Sequence, residues 1–169
     1  MKRRVVVTGL GVVAPNGIGK KDFSDAIFAG KSGIAQITSL DTSNLKVKIA
    51  GEVTNFDPCD YIPIHIYRKS DRFVHLGLSA TKLAMDDANI LPDSPFLKKA
   101  SVVIGSGQGG LMFHEQEIIK FVESQGTKKL SASAVPRITA NAISAYIAIQ
   151  HDVHGIYRAQ KTIFQLYRN

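Results

Sequence analysis

Two glycine-rich strings and five histidines are the features of this sequence whose residue types could do chemistry. Gly9-Leu10-Gly11-Val12-Val13-Ala14 has the G-x-G-x-x-A spacing of a dinucleotide-binding turn and follows the apolar run Arg4 to Thr8. In such a turn the last position opens a helix whose N-terminus faces a pyrophosphate, and an acidic residue about 20 positions on holds the ribose. Pro15-Asn16-Gly17 interrupts any helix starting at Ala14, and Ala29-Gly30-Lys31-Ser32-Gly33 stands where the acid is needed. The string therefore reads as a tight turn after a buried strand. The second string, Gly105-Ser106-Gly107-Gln108-Gly109-Gly110, has no Lys-Ser/Thr pair after it and is not a phosphate-binding P-loop. It predicts backbone that must approach something closely, in a plain strand-to-helix turn or along a pocket at the carboxyl end of a strand. His65, His75, His114, His151 and His154 show no metal-ligand spacing with the one cysteine, Cys59, so no metal and no cofactor is expected. Cys59 sits between Pro58 and Asp60, where no neighbouring residue would depress its pKa, and reads as an incidental thiol. Asp86-Asp87 reads as the solvated face of a helix.

The elements that must hold these residues follow from apolar spacing. Arg4 to Thr8 predicts a buried strand, and Ser101 to Ile104 a second one leading into the glycine loop. Phe23, Ala26 and Ile27 predict a helix over Lys20 to Ala29, stopped by Gly30. Residues 31–60 read as loop and short strands, including Val47 to Ala50. Ser70 is placed to cap a helix over 71–89, with Phe73, Leu76, Leu78, Ala80, Leu83 and Ala84 as its buried stripe. A helix over about 112–125 is stopped by Gly126, and Pro136 opens another that runs to Gln150. Apolar strands alternating with helices predict an α/β fold with a mostly parallel sheet covered on both faces.

Composition bounds the function. With 169 residues, 44% apolar and 21% charged, the chain has the make-up of one soluble globular domain. A single cysteine precludes an intramolecular disulfide and fits a reducing, cytoplasmic setting. No window approaches the roughly 18 apolar residues of a membrane span, and Gly9 arrives too soon for a secretory signal. The net charge of +7, from 21 Lys+Arg against 14 Asp+Glu, attracts acidic partners. Runs no longer than Lys2-Arg3-Arg4 or Lys128-Lys129 are thin for nucleic acid, which is not expected as a partner.

Five segments, in order, resemble the β-ketoacyl-acyl-carrier-protein synthases of the elongating type. They are Arg3-Arg4-Val5-Val6-Val7-Thr8-Gly9-Leu10-Gly11, Ala29-Gly30-Lys31-Ser32-Gly33-Ile34, Arg68-Lys69-Ser70-Asp71-Arg72-Phe73, the loop Ile104 to Leu111, and Val135-Pro136 with its helix to Gly155. The resemblance implies the N-terminal half of a thiolase-like α/β fold, a mixed sheet layered with helices. It covers residues 1–156 as an incomplete synthase domain and leaves 157–169 as an unmatched tail. It implies a decarboxylative Claisen condensation in fatty-acid synthesis, acyl carrier protein as partner, and a homodimer. In the family the nucleophilic cysteine falls nine positions after the glycine matched by Gly155; here that position is Phe164. The supporting histidines and lysine of the family fall on none of these residues, so no catalytic residue carries over and the chain alone is expected to be inactive, a truncated or frame-shifted form. Two assignments do carry over. Arg68, Lys69, Lys128 and Lys129 match a basic patch for the acidic carrier protein, and Gln108 matches a position lining the acyl pocket. The other readings are a non-catalytic module that binds acyl carrier protein or a synthase subunit, and a small dinucleotide-binding protein. Half of a two-half sheet would leave strand edges uncovered, which favours association.

Overall fold

The computed structural model describes residues 4–161. In chain order these form β1 (Val13–Ala14), β2 (Gly17–Ile18), α1 (Lys20–Phe28), β3 (Ala35–Gln36), β4 (Ile49–Ala50), α2 (Ile64–Lys69), α3 (Arg72–Asp87), β5 (Val102–Ser106), α4 (Leu111–Glu123), α5 (Ala134–Ile138), α6 (Ala142–Gln150) and β6 (Tyr157–Lys161). They divide into two units, one running through Tyr61 and including Ser79–Leu91, the other made of Ile62–Leu78 and the chain from Pro92.

In the first unit, β1 and β2 form an antiparallel hairpin, and so do β3 and β4. No helix opens at Ala14, which is the end of a strand, so the dinucleotide turn has no structural counterpart. The first glycine pair serves packing. A Cβ on Gly11 would lie 1.9 Å from the Ala80 carbonyl oxygen, and one on Gly9 2.3 Å from that of Ala84. Only bare backbone can lie this close to the second half of α3. Asp87, expected to be solvated, instead accepts from the Leu10 amide at 3.0 Å and pairs with Lys20. It thereby ties the glycine segment and α1 to α3, while Asp86 makes an exposed pair with Lys82. Gly30, at φ 66°, stops α1 as its sequence predicts.

The expected buried strand over Arg4 to Thr8 is not formed. These residues join no ladder among the described residues, and Val5 is 93% exposed. An apolar run is buried only where a neighbouring strand pairs its backbone, and here none does.

In the second unit the core gathers on α3 and α6. Val74 (0% exposed), Leu78 (2%), Ile143, Ile147 and Ala148 are its centre. Of the expected α3 stripe only Leu78 is fully buried. Val74 and His75 take the rest, because the helix meets α6 through Gly77, where a Cβ would lie 1.8 Å from Ile143 Cδ1. Ser70 does not cap α3; its hydroxyl donates back to the Ile66 carbonyl at 2.6 Å and closes α2. The helix expected from Pro136 to Gln150 is broken at Thr139. The Ile138 carbonyl accepts from Gly110 N at 3.1 Å instead of from the residue four ahead, and Ala142 N turns to Thr139 O at 3.0 Å.

β5 and β6 pair in parallel, Val102 opposite Tyr157 through Ser106 opposite Lys161. Together the three ladders make the fold mixed rather than mainly parallel. β5 is not covered on both faces either, since Val103 and Gly105 are exposed. α4 buries no residue, and Leu111, Met112, Ile118, Ile119, Phe121 and Val122 are all exposed. Its end is as predicted: Gly126 has φ 78° and donates to the Phe121 carbonyl at 3.0 Å.

Candidate functional site

The glycine loop after β5 is where sequence placed a close approach, and the neighbour is backbone. A Cβ on Gly109 would stand 1.9 Å from the Ile138 carbonyl oxygen and 3.0 Å from Ala140 N. The N-terminus of α4 beyond this loop is already filled. Asp71, buried, accepts from the Phe113 amide at 3.1 Å with its Oδ2. A carboxylate from 42 residues away thus takes the position an anion would occupy at a free helix end. Gln108 is exposed in this loop, and its carbonyl accepts from the Ser106 hydroxyl.

Arg68 and Lys69 form the last turn of α2 and are exposed. Beside them lies a cleft of about 250 Å³ lined by Pro63, His65, Ile66, Lys69, Tyr146 and Ile149. Ile149 is 80% exposed, an apolar side chain left open at the edge of this cleft, which Lys69 also lines. Lys128 and Lys129 are exposed in the loop after α4, where Lys128 N donates to the Ser124 hydroxyl at 3.1 Å. Sequence reasoning missed α2 altogether. Its one cue was Pro63, a residue suited to a helix start, before Ile64 and Ile66.

His75 is buried beneath this surface. Its Nε2 lies 3.1 Å from the Tyr67 carbonyl and its ring stacks on Tyr67 at 4.8 Å. Burial pushes its pKa down, outweighing the Tyr67 carbonyl, which raises it; Arg72 lowers it further and Asp71 raises it. Burial also lowers His151. A histidine whose folded pKa is depressed gives stability that is complete above the unfolded value, near 6.5, and is lost as pH falls through that value toward the folded one. The carboxylates titrate lower. Ser39 and Thr38 hold Glu52 down to about 2, so its contribution is complete above the ordinary carboxylate value of 4.5 and fades only below it. The melting temperature should therefore drop as pH falls below about 6.5, ahead of the Glu52 step. His75→Gln should flatten that part of the profile; an unchanged slope would assign it elsewhere.

Cys59 is exposed on the 3-10 turn Pro58–Asp60, its amide donating to Asp57 Oδ1 at 2.9 Å. Among the described residues no group of three or more His, Cys, Asp or Glu could hold a metal ion. No helix among them is long and apolar enough to cross a membrane.

This mixed helix-and-strand arrangement, with a glycine loop after its parallel strand, has the thiolase-like fold of solved ketosynthases. The ishigamide ketosynthase/chain length factor superposes with a TM-score of 0.86 at 25% identity, over 96% of this chain and 40% of its own. A type II polyketide synthase acyl-carrier protein in complex with its ketosynthase bound to the hexaketide gives a TM-score of 0.76 at 19% identity, over 95% of this chain and 42% of that one, a likeness of fold. Residues 2–162 match the beta-ketoacyl synthase N-terminal domain. The chain belongs to the β-ketoacyl synthase family. The 3-oxoacyl-[acyl-carrier-protein] synthase 2 of Coxiella burnetii is 36% identical over 154 residues, 91% of this chain. The chain spans 37% of that relative's length.

Proposed function

We propose that this chain is the carrier-docking N-terminal part of a condensing enzyme that joins an acyl thioester to a malonyl-acyl-carrier protein with loss of carbon dioxide, in fatty-acid synthesis. In that reaction a cysteine thiolate takes the acyl group from its carrier. The malonyl unit then loses carbon dioxide, and the resulting carbanion attacks the thioester while hydrogen-bond donors hold the oxyanion. The one thiol here, Cys59, is exposed at a surface turn and far from the glycine loop in sequence. Phe164, at the family's nucleophile position, lies outside the described residues. The 169-residue polypeptide alone accordingly performs no condensation, and turnover above blank in an assay with acyl- and malonyl-carrier protein would refute this. The boundary after Ile156, the unmatched tail to Asn169, the homodimer and the cytoplasmic setting belong to the same reading, as does Gln108 as an acyl-pocket residue.

The observation that carries the docking role is the pairing of Arg68 and Lys69 with the apolar cleft that Ile149 and Tyr146 border. An acidic helix with one apolar side chain between its carboxylates fits such a surface. Charge steers it and the cleft seats it. Lys128 and Lys129 add to the same field. Titration with holo acyl carrier protein should show binding that weakens as salt rises, because exposed charges are screened beyond about 8 Å at physiological ionic strength. Arg68→Glu with Lys69→Glu should lower the affinity at least about tenfold and remove most of the salt dependence. Absent or salt-insensitive binding by the unaltered chain sinks the docking role.

A second reading, a non-catalytic module for acyl carrier protein or a synthase subunit, is favoured by the apolar face of α4, where no residue is buried. Co-purification with an intact synthase subunit but not with carrier protein would select it.

A further inference from the structure

The last four carbonyls of a helix have no partner in its own ladder. In α2, six residues long, that is most of the helix, and a helix so short does not persist by itself. Each orphan carbonyl here faces a side chain. The Ile66 carbonyl accepts from the Ser70 hydroxyl at 2.6 Å. That of Tyr67 lies 3.1 Å from His75 Nε2. Arg68 O accepts from Arg137 Nη2 at 3.0 Å, and Ser70 O from the same nitrogen at 3.2 Å. Lys69 O accepts from the Tyr146 hydroxyl at 3.5 Å, the longest of the set. The donors come from the turn after α2, from α3, from α5 and from α6. Arg137 joins two carbonyls through one nitrogen, and its guanidinium lies 4.3 Å from the centroid of the Phe113 ring.

We propose that Arg137 is a positioning residue for carrier docking. Clamped against Phe113, it fixes the last turn of α2 so that Arg68 and Lys69 present their charges in one arrangement. This rests on the docking role of those two residues. The physical reason is preorganisation. Long cationic side chains lose rotamer freedom when they bind, and a mobile backbone beneath them adds to that cost. Arginine suits the place because it is flat enough to stack on a ring and forked enough to reach several carbonyls. A lysine keeps the charge but offers neither property. The charge itself also faces the carbonyl end of α2, where a cation is favoured.

The test is Arg137→Lys and Arg137→Met in the full chain, read by carrier titration and by amide hydrogen exchange. Both variants should bind holo acyl carrier protein about tenfold more weakly. Amides of α2 should exchange about tenfold faster, while those of Ile147 and Ala148 in the core keep their protection. In a background of Arg68→Ala with Lys69→Ala the Arg137→Lys effect on affinity should vanish, because Arg137 then has nothing to position. An Arg137→Lys variant with wild-type affinity and wild-type exchange overturns the proposal. So does an effect that persists undiminished without Arg68 and Lys69, since Arg137 would then touch the carrier itself or merely support the fold. If the unaltered chain binds no carrier, the docking role has failed on its own. Exchange in α2 then decides whether Arg137 orders the helix, and unchanged exchange overturns that too.

Discussion

Gly109→Val should destabilise the second unit by about 3 kcal/mol or more and lower its melting temperature by roughly 10 °C. The neighbours of the added carbon are backbone atoms, the Ile138 carbonyl at 1.9 Å first among them, and backbone cannot rotate aside as a side chain can. The same carbonyl accepts from Gly110 N, and that bond ends α5 where it does. Pushing the loop away would free Ile138 O, move the N-terminus of α4 from Asp71, and displace Gln108 from the end of β5. A thermal melt against the parent chain measures the effect. Gly19→Ala is the contrast: a Cβ there meets nothing within 4 Å, though the backbone has φ 83°, so only about 1 kcal/mol of conformational strain is expected. Equal losses at both positions would mean that the close approach to Ile138 is not what Gly109 is for.

Leu78→Ala should cost about 3 kcal/mol, within the range for a leucine removed from a filled interior. Leu78 is 2% exposed and lies one residue from Gly77, which admits Ile143 against the helix. The methyl groups it loses leave a void that α3 and α6 cannot close without disturbing that approach. Leu111→Ala, on the uncovered face of α4 and 56% exposed, should change stability by less than about 0.5 kcal/mol. Denaturant melts of the two variants give the comparison. A Leu78→Ala loss as small as that of Leu111→Ala would place the core elsewhere.

The exposed apolar residues of α4 and of Val5, Val6 and Val7 are the largest departure from the pattern of a soluble domain. Hydrophobicity states what a segment would bury, and the presence of a partner decides whether it does. The same difference explains β5. Its apolar run has the composition of a strand covered on both faces, but Val103 and Gly105 remain exposed.

Sequence alone determined the local elements that rest on chain chemistry. The chain leaves α1 and α4 through Gly30 and Gly126, whose left-handed backbone costs a glycine no steric penalty. The interruption by Pro15 was enough to deny the first glycine string a helix, and the five ordered segments were enough to place the chain among the β-ketoacyl synthases. The exposed basic residues Arg68, Lys69, Lys128 and Lys129 could be named, since charge is a property of residue type. Tertiary structure decided the rest, because it depends on which distant groups meet. The short helix α2 has too few residues to declare itself by periodicity and is completed by Ser70, His75, Arg137 and Tyr146. The break between α5 and α6 depends on a hydrogen bond to Gly110, and the start of α4 on a carboxylate 42 residues earlier. Periodicity reports what one segment prefers. The partner of a carbonyl, an amide or a bare glycine is fixed only when the chain has folded around it.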